Sequence, residues 1–214
     1  MLRSARALAL FTAAIALSAC MTGQRPSLDP GGTTAPARAT GVSDEILALF
    51  DSSIPEPFTA VYQVRQTTQQ VTATAILTRD ATRTALDVRD TQFRESGGQR
   101  ETCNRSSNAC QPGYAQNRLS DLQITAGFWG PSIKDVLRSP ILNARIGPIT
   151  TDKDTVAKQA VTCVNIPGPG RTDRYCALDS GVLASMDNAA VSVTLVEYRT
   201  TFDQQVWDEI KPTS

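Results

Sequence analysis

The chain has 214 residues, with 21 Lys and Arg against 21 Asp and Glu, a formal net charge of +0, and 0 His. Charges of both signs are spread without long runs, so the sequence carries neither the basic face that nucleic acid requires nor a polybasic membrane patch. The missing imidazole excludes Ser-His-Asp and Cys-His catalysis and every zinc site built with histidine.

The N-terminus has two arginines, Arg3 and Arg6, followed by an apolar run from Ala7 to Ala16 that only Thr12 interrupts, and then small residues up to Cys20. This is the layout of a secretory signal, too short to span a bilayer, so residues 1–19 are expected to take no part in the fold. Leu17-Ser18-Ala19-Cys20 resembles the lipobox of bacterial lipoproteins. The resemblance implies a diacylglycerol on the Cys20 thiol, cleavage just before it and frequent acylation of the new terminus. Two acyl chains hold a protein stably where one gives only marginal binding. The chain is therefore expected at the cell membrane, lipid-anchored on the extracytoplasmic face. The competing reading is an ordinary signal peptide with an incidental cysteine.

Residues 20–43 read as a lipidated spacer. Met21 to Gly41 is rich in Pro, Gly, Thr, Ala and Ser, with Met21 and Leu28 as its only large apolar residues. Such a segment cannot bury enough surface to offset the cost of ordering it. Behaving as a Gly-rich coil, it reaches about 25 Å. The remaining residues, 44–214, suffice for one domain with a sizeable core.

Ser43-Asp44-Glu45 supplies a helix start, and Ile46, Leu47, Leu49 and Phe50 form an apolar stripe that ends before Pro55. From Phe58 the period changes to two. Phe58, Ala60, Tyr62 and Val64 alternate with polar or small partners, Val71, Ala73, Ala75 and Leu77 do the same, and Thr84, Leu86 and Val88 begin a third run. Links this short require antiparallel pairing. Phe93 to Glu95 and Gln99 to Cys103 continue the meander around a Gly97-Gly98 hairpin turn. Between Gln116 and Leu142 the spacing becomes helical, first at Leu119, Leu122 and Ala126, then at Ile133, Val136 and Leu137 before Pro140, with a break at Phe128-Trp129-Gly130-Pro131. Strands return at Val161 to Ile166, Arg174 to Leu178, Gly181 to Met186 and Val191 to Tyr198, with Pro167 to Gly170 as a loop and a turn at Asp187-Asn188. Phe202, Val206, Trp207 and Ile210 can pack the terminus back on the sheet.

Four cysteines follow Cys20, and an even number in an exported protein invites pairing. Three connectivities exist on paper. Proximity favours Cys103 with Cys110 and Cys163 with Cys176, since each pair flanks a short turn-rich loop. A four-cysteine metal site is the alternative, at spacings far wider than those of structural zinc sites.

The order of elements, a short helix, an antiparallel meander, a helical insert and a second antiparallel group, reads as an α+β fold with helices lying across one face of a sheet. With a lipobox and spacer in front, with the opening strand FTAVYQV and the closing CALDSGVLASM, residues 44–214 resemble the LolA and LolB lipoprotein-carrier superfamily and its relatives of the LppX and LprG type. The resemblance implies a curved antiparallel sheet forming an incomplete β-barrel, with short helices covering the concave face and an apolar cavity that takes acyl chains of a lipid or lipidated ligand; no catalytic centre, cofactor or metal is expected. It points to Tyr62, Leu77, Leu86, Phe93, Phe128, Trp129, Val136 and Leu137 as candidate lipid-binding positions, each of which could equally belong to a sealed core. Two cysteine pairs would stiffen the sheet and suit a tethered monomeric binder better than a shuttle. The alternative is a non-catalytic envelope interaction module with a filled core, and an envelope hydrolase relying on carboxylates ranks last. Other sites are faint: Asp152-Lys153-Asp154 reads as a solvated turn and lacks the ligand set of a calcium loop, Asp87 and Asp90 could pair as acid and base only across one pocket, and Ser132 beside Lys134 reads as a helix N-cap before it reads as a nucleophile.

Overall fold

A computed structural model describes residues 40–50, 57–115, 117–118, 124, 128, 131–143 and 147–210. The signal segment, Cys20 and nearly all of the spacer lie outside the described residues, as do Leu119, Leu122, Ala126 and Trp129. No described helix is long and apolar enough to cross a membrane.

Alternation in the sequence becomes a single antiparallel sheet of eleven strands. The first six are β1 (Phe58–Gln66), β2 (Thr72–Arg79), β3 (Arg83–Val88), β4 (Thr91–Ser96), β5 (Gln99–Asn104) and β6 (Ala109–Pro112). The last five are β7 (Thr150–Val156), β8 (Gln159–Gly168), β9 (Arg171–Leu178), β10 (Leu183–Asp187) and β11 (Val191–Arg199). Their order is β6-β5-β4-β3-β2-β1-β11-β10-β9-β8-β7. Two meanders therefore meet where β1 pairs with β11, and the sheet stays open, with β6 and β7 at its edges. β7 also approaches β11 across the three strands between them, so the second half curls back on itself.

Helix α1 (Thr40–Ala48) begins a little before the expected Ser43 start. Helix α2 (Pro131–Asn143) runs through Pro140, where the sequence reading ended it. A proline inside a helix loses one backbone bond and crowds the preceding turn. Ile133, Leu137 and Ile141 recur every four residues on one buried face, and the burial of Ile141 beyond the proline favours continuation. The two helices touch each other and share one apolar cluster with the sheet. The Tyr62 ring meets Phe128 edge-on at 5.0 Å, which identifies the helix-covered, inner face as the one bearing Phe58, Ala60, Tyr62 and Val64.

On the outer face of β1 to β4, the C-terminal segment folds back as expected. Helix α3 (Gln204–Asp208) is capped by Asp203, whose carboxylate accepts from the backbone N–H groups of Gln205 and Val206. Buried side chains of the sheet hold this segment by its main chain. Thr59 Oγ1 donates to the Thr201 carbonyl at 2.7 Å, Gln92 Nε2 to that of Val206 at 2.7 Å and Arg94 Nη1 to that of Ile210 at 3.0 Å. The Asp203 N–H donates to Thr78 Oγ1 at 2.7 Å. The Arg94 guanidinium also lies 4.2 Å over the Trp207 ring, and that of Arg83 4.1 Å over Phe202.

Two expectations need correction. Asp152-Lys153-Asp154 is not a turn but the middle of edge strand β7, and the turn falls at Ala157-Lys158, both left-handed with φ of 49° and 64°. The segment from Pro167 to Gly170 is not a free loop: Pro167 and Gly168 pair with Thr172 and Arg171, leaving Pro169-Gly170 as the tip of a tight hairpin.

Both disulfides form with the favoured connectivity. Cys103 stands directly opposite Cys110 across β5 and β6, and Cys163 opposite Cys176 across β8 and β9. Loop-closure entropy assigns about 2.5 kcal/mol to the first and about 3 kcal/mol to the second, longer closure. Replacing each pair by serines should therefore destabilise the chain in urea unfolding, with the Cys163→Ser/Cys176→Ser variant the weaker of the two.

Candidate functional site

The inner face of the strands belongs to the apolar cluster, and pairing register orders it into rows. Ala60, Leu77, Leu86 and Phe93 lie side by side across β1 to β4, and Tyr62, Ala75 and Val88 form the next row. Six of the eight candidate positions, Tyr62, Leu77, Leu86, Phe93, Phe128 and Leu137, are buried in one cluster. Val136 stands apart, 51 % exposed on the solvent side of α2, and Trp129 lies outside the described residues. The Tyr62 hydroxyl donates to the Leu183 carbonyl at 2.9 Å, and full burial pushes its pKa far above the ordinary phenol range. That group is a satisfied core donor and stays protonated.

One row further along the same face, the surface becomes charged. Phe58, Arg79, Thr84, Glu95 and Arg100 are neighbours across β1 to β5. Arg100 Nε lies 3.1 Å from Glu95 Oε2, the same oxygen accepts from the Tyr114 hydroxyl at 3.2 Å, and the Arg100 guanidinium sits 5.3 Å from the Tyr114 ring centre. Tyr114 in turn meets Phe93 edge-on at 5.9 Å, which ties the charged row to the apolar one. Burial pulls the Arg79 guanidinium below its ordinary value, with Glu95 opposing, and burial beside Glu95 pushes the Tyr114 hydroxyl up to about 12. The sequence reading missed this row. Its signal was the alternation itself, which puts Arg79 on the face of Leu77 and Glu95 on that of Phe93.

The other polar candidates are engaged elsewhere. Asp152 and Asp154 both accept from Arg174, at 2.7 Å and 2.9 Å, and Asp152 also from Asn165. Its guanidinium partner holds the Asp152 carboxyl below the usual range. Asp87 and Asp90 are served by different arginines, Arg105 at 3.0 Å and Arg118 at 3.4 Å, and form no acid-base pair. The side chain of Ser132 lies outside those described. Two groups bring carboxylate and sulfur close, Glu101 with Cys103 and Cys110, and Asp152 and Asp154 with Cys163. In both, the sulfur is oxidised in a disulfide and is no thiolate ligand. A shallow cleft of ≈ 230 Å³ lies against the β5–β6 hairpin, bordered by Thr91, Thr102, Asn104 and Arg118.

No family model and no curated protein sequence matches the chain. Solved structures do match. The crystal structure of MucB aligns with 81% of this chain at 11% identity and a TM-score of 0.50, and the chain spans 63% of the MucB chain. The Pseudomonas aeruginosa MucA/MucB complex aligns with 81% of this chain and 64% of that one, at 10% identity and a TM-score of 0.47. An uncharacterized conserved protein from Thermus thermophilus covers 81% of this chain and 96% of its own, at 9% identity and a TM-score of 0.46. The likeness to MucB is one of fold, and it supports the open antiparallel sheet described above.

Asp87 supplies a test of the outer face. It is buried there, one oxygen bound to Arg105, which also pairs with Glu209 of the C-terminal segment. Burial raises its carboxyl above the ordinary value of 3.8, against the pull of Arg105. A carboxyl raised in the folded state binds protons more readily there than in the unfolded chain, so its contribution to stability falls as pH rises through that window. Asp87→Asn should accordingly stabilise the protein at neutral pH, with the gain vanishing below about pH 4; urea midpoints of both proteins across that range check it.

Proposed function

We propose that this chain is an exported binding module without a catalytic centre, tethered to the extracytoplasmic face of a membrane by acylated Cys20 and acting as a monomer. Its ligand is the acyl chain of a lipid or lipid-modified molecule, taken up between the sheet and the helical layer. One observation carries the reading. Both disulfides lie within the sheet, so among the described residues no covalent link ties down the helical layer, which shares one apolar cluster with it. The sheet is thus a stiff wall and the helices a displaceable one, with Leu77, Leu86 and Phe93 facing Phe128 and Leu137. An acyl chain offers the strand residues the same apolar contact that the helices offer in its absence, so exchange costs little burial. The resemblance of the sequence to the lipoprotein carriers, and the LolA/MucB-like fold, support the reading by analogy.

A second reading, an interaction module with a permanently filled core, is favoured by the complete burial of the six candidate positions and the satisfied Tyr62 hydroxyl. Native mass spectrometry with lipid extraction separates the two. The full chain carrying Cys20→Ser and exported so that its disulfides form should copurify with stoichiometric lipid, and Leu86→Trp, which fills the inner layer, should abolish it. A clean apo mass in repeated preparations would support the filled core. The anchor has its own test: the native chain should fractionate with membranes and Cys20→Ser with the soluble fraction.

A further inference from the structure

On the outer face of the sheet, two buried oxygens on neighbouring strands have no donor among the described residues. Asp87 of β3 and Gln92 of β4 are direct partners in the register, so their side chains stand together on that face with Cβ atoms about 5 Å apart. Both are buried. Asp87 Oδ1 accepts from Arg105 Nη1 at 3.0 Å, whereas Oδ2 has no hydrogen-bond partner. The C-terminal segment orients Gln92: its Nε2 donates to the Val206 carbonyl at 2.7 Å, and since a carbonyl only accepts, the amide cannot be turned round. Its Oε1 is thereby fixed as a second acceptor, and it too has no partner. One hydrogen between the two oxygens would satisfy both, and the Asp87 carboxyl can itself supply it.

We propose that Asp87 and Gln92 form a buried proton site beneath the C-terminal segment, in which Asp87 Oδ2 carries the proton and donates to Gln92 Oε1. The hydrogen bonds then run in one direction, from the Asp87 hydroxyl to the Gln92 carbonyl and from the Gln92 amide to the Val206 carbonyl, so each polarises the next. Loss of the proton leaves a charged oxygen against an amide oxygen where neither can turn to water, and the hold of Gln92 on Val206 loosens. Among the described residues, three charged groups surround Asp87. Arg105 comes from the β5–β6 turn, Glu209 of the C-terminal segment binds the same guanidinium, and Arg94, two residues along β4 on the same face, donates to the Ile210 carbonyl and lies over Trp207. From β2, uncharged Ile76 stands opposite Asp87. Burial raises the Asp87 carboxyl above its ordinary 3.8, against the pull of Arg105, whose charge Glu209 shares. Opening of the segment would return the carboxyl to that ordinary value. Closure is therefore favoured at acid pH and weakens as pH rises from 3.8 through the raised value. This site lies on the outer face and is independent of the acyl-chain reading.

The full chain with Cys20→Ser, exported so that its disulfides form, is titrated by carbon NMR of the carboxyls. Hydrogen exchange is followed in parallel at Trp207, whose backbone N–H donates to the Asp203 carbonyl within the segment. Asp87 is expected to titrate above 3.8, and Trp207 protection, corrected for the intrinsic pH dependence of exchange, to fall severalfold as it ionises. The sign of one substitution distinguishes a proton site from burial alone. Gln92→Met keeps the volume and removes the acceptor, so Asp87 should titrate lower in that variant, whereas under burial alone an apolar neighbour raises a carboxyl or leaves it unchanged. Asp87→Asn sets a permanent donor against Gln92 Oε1 while its own oxygen still accepts from Arg105, so Trp207 protection should stay at its acid level at every pH. An Asp87 midpoint at or below 3.8 overturns the proton site in favour of a water molecule donating to both oxygens. A raised midpoint that Gln92→Met leaves unchanged or raises further overturns it in favour of burial. Should Gln92→Met fail to fold, Asp87→Asn carries the comparison, and a fall in Trp207 protection in that variant like that of the native residue overturns the proposal.

Discussion

The pairing of β1 with β11 is the contact on which the rest of this structure depends. Each meander forms from hairpins whose strands are close in sequence, but only this pairing, between strands at opposite ends of the domain, makes them one sheet. Closing so long a loop costs conformational entropy that grows slowly with length yet must be met before the contact forms. The geometry at the join repays it. A register shift between Val61 and Tyr62 brings Ala60 opposite Tyr198 and Tyr62 opposite Leu195, and Tyr62 then reaches past β11 to the Leu183 carbonyl on β10. One side chain thereby links the first strand to the second meander and offers its ring to Phe128 of the helical layer. The sheet, its join and its cover meet at that residue.

Around this join the stabilising devices are unevenly distributed. The disulfides sit away from it, one pinning the edge hairpin β5–β6 and the other the interior hairpin β8–β9. The C-terminal segment straps the outer face of β1 to β4 through donors that read main-chain carbonyls and through arginine-aromatic stacks. On the inner face the described helices share one apolar cluster with the sheet, and neither disulfide reaches them. Packing without a covalent link opens at lower cost than packing reinforced by one, so opening is expected at the helical side before the pinned hairpins. An asymmetry of this kind is what a binding module needs if its ligand enters between a fixed wall and a yielding one.

Much of this fold was legible in the residues because inward positions of β1, β2, β3 and β11 alternate cleanly between apolar and polar, and because each cysteine pair brackets its own hairpin. What escaped was decided by tertiary context. β7 has the sequence TTDKDTV, with no large apolar residue before Val156, since an edge strand exposes most of its side chains and gives hydrophobic periodicity nothing to register. Its charges are the kind that discourage edge-to-edge association. Gln92 and Arg94 look like solvated strand residues, and their burial exists only because the C-terminal segment lies on them. The passage of α2 through Pro140 follows from Ile141 finding the core, which no local rule contains.

The candidate site was half legible for the same reason. Tyr62, Leu77, Leu86 and Leu137 lay on period-two or helical spacing in the sequence, whereas Phe128 stood at a break with no period to place it, and Val136 fell on the wrong side of α2 because adjacent residues on a helix point about 100° apart and both cannot face the sheet. The charged row needed something more than periodicity. Arg79, Glu95 and Arg100 are separated along the chain, and what makes them one band is register, the alignment of β2 with β3, β3 with β4 and β4 with β5. Register here is fixed by tight turns, Gly97-Gly98 with φ of 56° and 79° among them, and a one-residue slip would send each charge to the opposite face. A banded inner face, apolar beside charged, is thus a consequence of where the turns fall, and the turn residues determine the polarity of the surface that a ligand would meet.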